Sequence, residues 1–286
     1  MDADTRTWEC GSRALDLRGP VVMGILNVTP DSFSDGGRFA QLGAALAQAR
    51  RMIGEGAAII DIGGESTRPG ASPATLDEEL SRVVPVIEAL RAESPVFLSV
   101  DTSKPEVMRA ATRAGADIIN DVRALTESGA LAAAAETRAG VCLMHMRGEP
   151  RTMQVAPRYD DVVMDVAAFL AKRIAACRET SIDTARVAID PGFGFGKSVA
   201  HNLELLKQLR KFESLGAVVA VGLSRKSMLA KLTGRAVDER IAGSVALAAI
   251  AVLNGARIVR AHDVAATLDA VRVAAAVLKG DELDGT

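Results

Sequence analysis

The sequence predicts a single-domain α/β protein, a (β/α)8 (TIM) barrel, and two features of its hydrophobic pattern indicate this fold. Short apolar, β-branched runs alternate with longer segments of helical period, which is typical of βα units and a parallel sheet. Eight such runs occur, each followed by a helical segment, and eight βα units close a barrel. A doubly wound open sheet is the main alternative, but it usually has fewer units.

One domain accounts for the length of the chain. Its 286 residues are close to the roughly 250 residues of a common α/β barrel. No Pro- or Ser-rich linker divides the sequence. We therefore expect residues 1–20 to form an N-terminal segment and residues 21–280 to form the barrel.

The elements follow from the position of the apolar runs and the glycines. Strands are predicted at 21–28, 58–64, 96–102, 117–122, 141–146, 186–192, 217–223 and 257–263. Helical segments between them include 78–93, 105–115 and 201–212, and Pro105 suits a first helical turn. Glycine tolerates the left-handed backbone that ends a helix, so we expect helix ends at Gly56, Gly115, Gly140, Gly216 and Gly255.

Composition and charge exclude several classes of protein. The formal net charge is −2, so no overall field attracts nucleic acid, and we expect no nucleic-acid partner. No uninterrupted apolar stretch is long enough to span a bilayer, and the N-terminus lacks an apolar signal segment, so we expect no membrane association. The three cysteines are scattered without CxxC spacing, which argues against disulfides and predicts a cytoplasmic location.

Polar residues end every predicted strand. These residues are Asn27, Asp61, Asp101, Asn120, Asp121, His145, Asp190, Ser224, Arg225, Lys226, Arg260, His262 and Asp263. One Asp at a strand end is as often a helix cap or turn former. Eight strands that all end in this way indicate an active site on the C-terminal face, where barrel enzymes work. Three long loops, at 29–39, 65–77 and 146–160, fall on the same face.

The polar residues differ in the ligand that they suit. Asp61, Asp101, Asn120 and Asp190 are acceptors for a flat, donor-rich heterocycle. Cationic or donor side chains for an anion are Arg68, Arg225, Lys226, Arg260 and His262. Asn27 is a reasonable oxygen ligand for Mg²⁺ that arrives with a phosphate.

The glycine-rich segment GFGFGK (192–197) does not match a nucleotide-binding loop. It fits neither GxxxxGK[ST] nor GxGxxG, and it follows the sixth predicted strand rather than the first. Phe193 and Phe195 could be simple packing residues, but in a chain that is 3% aromatic a Phe after a strand is also a candidate for ring stacking. Met144 is expected to form an apolar wall of the pocket.

Eight segments of the sequence resemble those of the dihydropteroate synthases. They are GILNVTPDSFSDGG (24–37), DIGGESTRPGA (61–71), SVDTSKP (99–105), IINDV (118–122), MHMRGEPRTMQ (144–154), IDPGFGFGK (189–197), GLSRKSML (222–229) and RAHDV (260–264). The resemblance covers nearly all of residues 21–278 in the order of the family. It implies a (β/α)8 barrel enzyme, a transferase that condenses p-aminobenzoate with 6-hydroxymethyl-7,8-dihydropterin diphosphate. The family is usually dimeric, requires Mg²⁺ and binds sulfonamides as p-aminobenzoate mimics.

The resemblance also implies a role for each matching residue. Asp101, Asn120, Asp190 and Lys226 would bind the pterin, with Asp61 and Gly222 nearby and with Phe195 and Met144 as walls. Asn27 with Mg²⁺, Arg68, Arg260 and His262 would meet the diphosphate. Thr67, Pro69, Ser224 and Phe33 would lie near p-aminobenzoate. Asp35, Asp101, Lys226 and Arg260 are the expected catalytic residues.

Two other functions are compatible with a pterin pocket. A pterin-binding methyltransferase barrel shares the Asp and Asn set but needs no diphosphate site, whereas STRPGA, SRKS and RAHD favour the synthase. A catalytically silent paralogue that binds pterin or a partner protein is the other alternative, and no motif residue departs in its favour. For the synthase we predict a dissociative, SN1-like substitution, since an arylamine is an uncharged nucleophile near neutral pH and needs no dedicated base.

Overall fold

The computed structural model describes residues 6–29, 38–66, 73–149 and 152–280. Its strands are β1 (Thr7–Cys10), β2 (Arg13–Asp16), β3 (Val21–Asn27), β4 (Ile59–Gly63), β5 (Phe97–Asp101), β6 (Ile118–Asp121), β7 (Gly140–Met144), β8 (Val187–Asp190), β9 (Val218–Gly222) and β10 (Ile258–Ala261). Its α-helices are α1 (Arg38–Gly54), α2 (Leu76–Glu93), α3 (Pro105–Arg113), α4 (Ala130–Thr137), α5 (Val162–Glu179), α6 (Val199–Lys207), α7 (Ser227–Thr233), α8 (Ile241–Leu253) and α9 (Val264–Lys279).

Strands β3 to β10 form a closed, all-parallel barrel. They pair in chain order, and β10 closes the ring by pairing with both β9 and β3. Each strand is followed by at least one helix, and apolar side chains on the outer strand faces pack against the helices in the main core. The predicted (β/α)8 barrel is confirmed. Each of the eight strands begins and ends within two residues of its predicted bounds.

The strand register places the polar residues at defined heights in the barrel. Asn27 pairs with Gly63, Gly63 with Asp101, and Asp101 with Asn120, so these residues share one level. Asp61 precedes Gly63 by two residues and therefore points to the same side one layer lower. This stagger sets which carboxylates reach the mouth of the barrel.

A β-hairpin from the N-terminal segment closes the floor of the barrel. Strands β1 and β2 are antiparallel, and their inward side chains join a second apolar core with the lower ends of the barrel strands. Trp8 is fully buried there and its Nε1 donates to the carbonyl of Arg186 at 2.9 Å. The sequence pattern did not predict these strands, because four residues are too few for a clear alternation.

Two predicted helix ends differ in the structure. Gly140 begins β7 instead of ending a helix, and α4 ends at Thr137, with its C-cap Arg138 in the left-handed conformation at φ 59°. A glycine is needed at 140 because a Cβ there would lie 2.7 Å from Cys10 Sγ of the floor hairpin. Helix α6 ends at Lys207 and continues as a 3-10 helix over Leu209–Leu215, so the predicted helix 201–212 is divided.

Two further features bear on the composition. Within the described ranges, none of the helices combines the length and apolar character needed to cross a membrane. Cys10, Cys142 and Cys177 are all buried as free thiols.

Candidate active site

A pocket opens at the carboxyl ends of the barrel strands. It measures about 340 Å³, including space open to solvent. Its lining residues are Asp101, Asn120, Val122, Met144, Asp190, Phe193, Phe195, Gly222, Lys226 and Arg260. Six of them lie within or end the six consecutive strands β5 to β10, so the barrel itself brings distant parts of the chain together.

The structure brings eight of the predicted site residues together in this pocket. They are Asp101, Asn120, Met144, Asp190, Phe195, Gly222, Lys226 and Arg260. Val122 is an additional wall that sequence reasoning missed, and its position directly after the Asn120–Asp121 pair was the available signal. Phe193, whose role the sequence left open, also lines the pocket and is 1% exposed.

Arg260 lies between two carboxylates at the base of the pocket. Its Nε donates to Asp61 Oδ2 at 2.5 Å and its Nη2 donates to Asp101 Oδ2 at 2.7 Å. Asn120 Nδ2 donates to the same Asp61 oxygen at 3.1 Å. The acceptor set and the cation set that the sequence suggested are therefore interleaved, because one guanidinium joins both predicted groups.

Asp61 forms the layer beneath the pocket. It is fully buried and does not line the pocket, and its Oδ1 has no hydrogen-bond partner among the described residues. Its contacts with Asn120 and Arg260 instead hold two lining side chains in place. Asp61 thus acts on the pocket through its neighbours.

Burial shifts the ionisation of the pocket residues. It raises the pKa of Asp101 to about 7, although the charge of Arg260 opposes this shift. Burial likewise raises the pKa of Asp190 and lowers the pKa of Lys226 to about 8. For Arg260 burial acts to lower the pKa, but the charges of Asp61 and Asp101 outweigh it and raise the pKa above its usual value. Such shifts are typical of functional sites.

Lys226 faces an aromatic wall. Its Nζ lies 4.2 Å from the centre of the Phe195 ring, a cation–π distance. Asp190, the last residue of β8, accepts a hydrogen bond from the backbone N–H of Gly192 at 2.7 Å. A planar ligand that enters this pocket would meet carboxylates, one ammonium and an aromatic ring.

A second polar group lies after β9 and β10. Ser224 Oγ is 3.0 Å from His262 Nδ1 and accepts from the His262 backbone N–H at 3.2 Å. Burial, assisted by the nearby guanidiniums of Arg260 and Arg225, lowers the pKa of His262 to about 4, so the ring is neutral at pH 7. If the Ser224 hydroxyl donates to Nδ1, the ring proton is on Nε2 and can be donated to an anion.

Three predicted strand-end residues have structural partners instead. Arg225, predicted to meet an anion, donates to both carboxylate oxygens of Asp263 at 2.9 and 2.5 Å. Asp121 accepts from the backbone N–H groups of Arg123 and Leu125 at 2.8 and 2.7 Å and therefore holds its own loop. His145 is 5% exposed and lies against Lys197 outside the pocket lining.

Asn27 is the remaining described site candidate. Its Oδ1 lies 3.8 Å from the position of a Cβ on Gly63, as does Oδ2 of Asp101, so the two side chains approach the same small residue. In the described part of the chain, no group of three His, Cys, Asp or Glu side chains could hold a metal ion. Phe33, Asp35, Thr67, Arg68 and Pro69 lie outside the described residues.

A half-buried ion-pair network lies beside the second long loop and was not predicted. Lys104 Nζ donates to Glu79 Oε2 at 2.5 Å and to Glu65 at the start of the loop 65–77. Glu79 is 1% exposed. The network ties the described start of this loop to α2 and α3.

Comparison with known proteins identifies one family. The model of the family described as "Pterin binding enzyme" matches residues 23–262. The chain is 53% identical to the dihydropteroate synthase of Escherichia coli (strain K12) over 94% of this chain and 95% of that protein.

Solved structures with the same fold carry ligands. A dihydropteroate synthase of Xanthomonas albilineans with 4-aminobenzoic acid has a TM-score of 0.90 and 54% identity, covering 96% of this chain and 98% of that one. The Xanthomonas albilineans enzyme in complex with 7,8-dihydropteroate has a TM-score of 0.87 and 51% identity, covering 95% and 98%. A Yersinia pestis dihydropteroate synthase with a sulfonamide drug complex has a TM-score of 0.91 and 49% identity, covering 96% and 100%.

The raised pKa of Asp101 predicts a pH-dependent stability cost. Because the pKa of this carboxyl is higher in the folded state than in the unfolded state, the folded protein loses stability as the pH rises from about 4 to about 7. An asparagine cannot ionise, so the variant Asp101→Asn escapes this loss. The free energy of unfolding of the variant minus that of the natural chain should therefore be about 1–2 kcal/mol larger at pH 8 than at pH 5.

Urea unfolding at the two pH values measures this difference. The exposed Asp160→Asn is the matched control and should show no pH-dependent gain. An equal effect of Asp101→Asn at both pH values would contradict the prediction.

Proposed function

This chain belongs to the dihydropteroate synthase family of pterin binding enzymes, and we propose that it makes 7,8-dihydropteroate and diphosphate from p-aminobenzoate and 6-hydroxymethyl-7,8-dihydropterin diphosphate. As a family member the chain is an enzyme, a transferase. One observation carries the assignment of the site: Asp101, Asn120, Asp190 and Lys226 line a single pocket at the carboxyl ends of the barrel strands.

The pterin ring is the ligand that this pocket suits. Its amino and ring N–H groups are donors, and the carboxylates of Asp101 and Asp190 with the amide of Asn120 supply acceptors in a partly buried setting. Lys226 supplies a donor for a ring acceptor. Met144, Phe193 and Phe195 provide apolar surface for the two faces of a flat ring.

Departure of diphosphate requires neutralisation of negative charge. Arg260 reaches the pocket base, and in the tautomer in which Ser224 donates to Nδ1, His262 can donate from Nε2, so both could hold oxygens of the leaving group. Arg68, by resemblance, would add a second guanidinium. Because Arg260 is already paired with Asp61 and Asp101, its orientation is set before substrate arrives.

The developing positive charge on the pterin methylene defines the role of Asp101. As the C–O bond breaks, the bonding electrons leave with diphosphate and the pterin becomes cationic. Asp101 as a carboxylate stabilises that cation, and the arylamine nitrogen then forms the C–N bond and releases a proton. A dissociative, SN1-like order therefore needs electrostatic stabilisation and no covalent intermediate with the enzyme.

We further propose that Mg²⁺ assists the reaction. The described residues form no metal cluster of their own, but Asn27 would offer one amide oxygen to an ion that arrives with diphosphate, since Mg²⁺ is commonly held by few protein ligands, phosphates and water. When bound, the ion would neutralise charge on the diphosphate. Asn27 would orient the bound ion and its diphosphate, because Asp101 Oδ2 already accepts a hydrogen bond from Arg260.

The remaining proposals concern binding partners and location. A relative is solved with a sulfonamide drug, and we propose that sulfonamides compete with p-aminobenzoate here as well. Thr67, Pro69, Ser224 and Phe33 would line that position, and Asp35 would lie on the loop that closes over it. We also propose a cytoplasmic location, which the three buried free thiols suit.

A homodimer is proposed from the outer surface of the barrel. Helices α8 and α9 pack together and expose large apolar side chains, among them Ile250 on α8 and Val273 and Val277 on α9. Val273 and Val277 are 65% and 66% exposed and four residues apart, so they share one helical face. Contiguous apolar surface of this kind commonly marks an interface, and a second copy is the partner we propose.

Turnover and the Lys226→Ala variant test the proposed activity. With both substrates and Mg²⁺ the chain should form 7,8-dihydropteroate, and chelation of the metal should stop the reaction. Lys226→Ala should lower kcat/KM for the pterin substrate by roughly 100-fold, since a charged hydrogen-bond donor and its cation–π contact are lost. Lys231→Ala, an exposed lysine on the same helix α7, is the matched control. Absence of dihydropteroate formation, or near-normal activity of Lys226→Ala, would refute the assignment.

Isotope exchange tests the order of bond breaking. Because the dissociative route breaks the C–O bond before the arylamine attacks, labelled diphosphate should enter the pterin substrate without p-aminobenzoate. Mass spectrometry of the recovered substrate measures the exchange. Cleavage that depends strictly on the arylamine would instead indicate a concerted displacement.

Introduction of negative charge on α9 tests the proposed dimer. The double variant Val273→Glu, Val277→Glu should convert a dimer to a monomer in analytical ultracentrifugation, because four glutamates would face one another across a two-fold interface. Val155→Glu, at an exposed apolar side chain outside α8 and α9, should remain dimeric. A monomeric natural chain at micromolar concentration would disprove the proposal.

A further inference from the structure

Lys197 is a buried lysine that the proposed chemistry does not use, and burial lowers its pKa to about 7. It ends the GFGFGK segment and is 2% exposed, and among the described lysines it alone is buried to this extent. A lysine is almost never fully buried unless its charge and its hydrogen bonds are satisfied. Its position therefore requires an explanation.

The three N–H groups of Lys197 each have a partner. Nζ lies 2.9 Å from the carbonyl of Gly192, 3.0 Å from the carbonyl of Phe195 and 2.9 Å from His145 Nδ1. Burial lowers the pKa of His145 to about 3, so the imidazole is neutral and its Nδ1 can accept a hydrogen bond from Lys197 Nζ. The ammonium thus ties both ends of the 192–195 turn to the residue that follows β7.

The backbone of this turn leaves little alternative geometry. Gly192, Gly194 and Gly196 have φ of 71°, 79° and 65°, a region that favours glycine. A Cβ on Gly192 would lie 1.9 Å from the carbonyl oxygen of His145. Phe193 and Phe195 are the side chains that alternate with these glycines, so the turn path decides where both rings lie.

The turn carries three parts of the pterin pocket. Phe193 and Phe195 line it, and Lys226 Nζ lies over the Phe195 ring. The Gly192 N–H also holds the carboxylate of Asp190. Lys197 is outside the pocket lining but bonds to the carbonyls of two of these residues.

We propose that Lys197 is a positioning residue for pterin binding, which acts by fixing the 192–195 turn and so the Phe195 ring against Lys226. This inference rests on the proposed function, since it assigns the ligand of the pocket. It differs from a role in folding alone, because Phe193 and Phe195 of this turn line the pocket that we assign to the pterin.

Kinetics of Lys197→Met separate these roles. The variant keeps the length of the side chain but loses three hydrogen bonds, so KM for the pterin diphosphate should rise roughly tenfold while kcat changes less than about threefold. KM for p-aminobenzoate should stay unchanged. Lys207→Met, the same change at an exposed site on α6, should leave all three constants unchanged. A fall in kcat with both KM values unchanged indicates fewer folded molecules and would overturn the proposal.

A double-mutant cycle tests the route through Phe195. In a Phe195→Ala background, Lys197→Met should raise the pterin KM by less than about twofold, because the ring that it positions is gone. Full additivity of the two effects would overturn the proposal. Emission from the single Trp8, buried at the barrel floor, checks that each variant is folded.

A milder variant covers the case in which Lys197→Met does not fold. The Tyr159 hydroxyl donates to the carbonyl of Gly196 at 3.0 Å, so Tyr159→Phe loosens the same turn by one hydrogen bond. It should raise the dissociation constant of the pterin diphosphate, measured by calorimetry, roughly two- to fivefold. If Tyr159→Phe binds the pterin diphosphate as tightly as the natural chain, the positioning role is wrong but the proposed function stands. If the natural chain itself does not bind the pterin diphosphate, the proposed function is wrong.

Discussion

Burial of Arg260 between Asp61 and Asp101 is the interaction on which the rest of the site depends. Two carboxylates in one apolar barrel repel each other, and, in addition to burial, the charge of Asp61 contributes to the raised pKa of Asp101. The guanidinium joins them, and its planar donors set the angle at which Asp101 faces the pocket. Asn120 is oriented by the same Asp61 oxygen. The side chains of Arg260, Asp101 and Asn120 are therefore held in place before any ligand binds.

The two ends of the barrel divide stability from chemistry. At the floor, the β1–β2 hairpin and Trp8 fill the barrel with apolar side chains and remove water. At the mouth, strand ends expose carboxylates, amides and cations with shifted pKa values. The apolar floor lowers the dielectric constant beneath the pocket. Because a lower dielectric weakens screening, charge interactions at the mouth become stronger. A dissociative reaction of a charged substrate benefits from such a setting.

Loops supply the geometry that strands cannot. The strands place Asp101, Asn120 and Asp190, but the aromatic wall comes from a glycine turn whose carbonyls need a donor. Lys197 Nζ supplies that donor. We propose that Lys197 orients the aromatic side chains of the pocket, as Asp61 orients Asn120 and Arg260. In both cases a residue outside the pocket lining determines how a lining residue is presented.

The sequence by itself determined the barrel and most of the residues at its mouth. Apolar runs ending in Asp101, Asn120, Asp190 and Arg260 identified strands and site together, because parallel strands in a barrel all end on one face. It placed Asn120 rather than Asp121 among the ligand acceptors, but it could not show that Asp121 instead holds its own loop. It could not show that Arg260 is shared by the carboxylates, that His145 and Arg225 have structural partners, or that the floor is closed by a hairpin. Those outcomes depend on strand register and on contacts between residues far apart in the chain, and only the tertiary structure decides them.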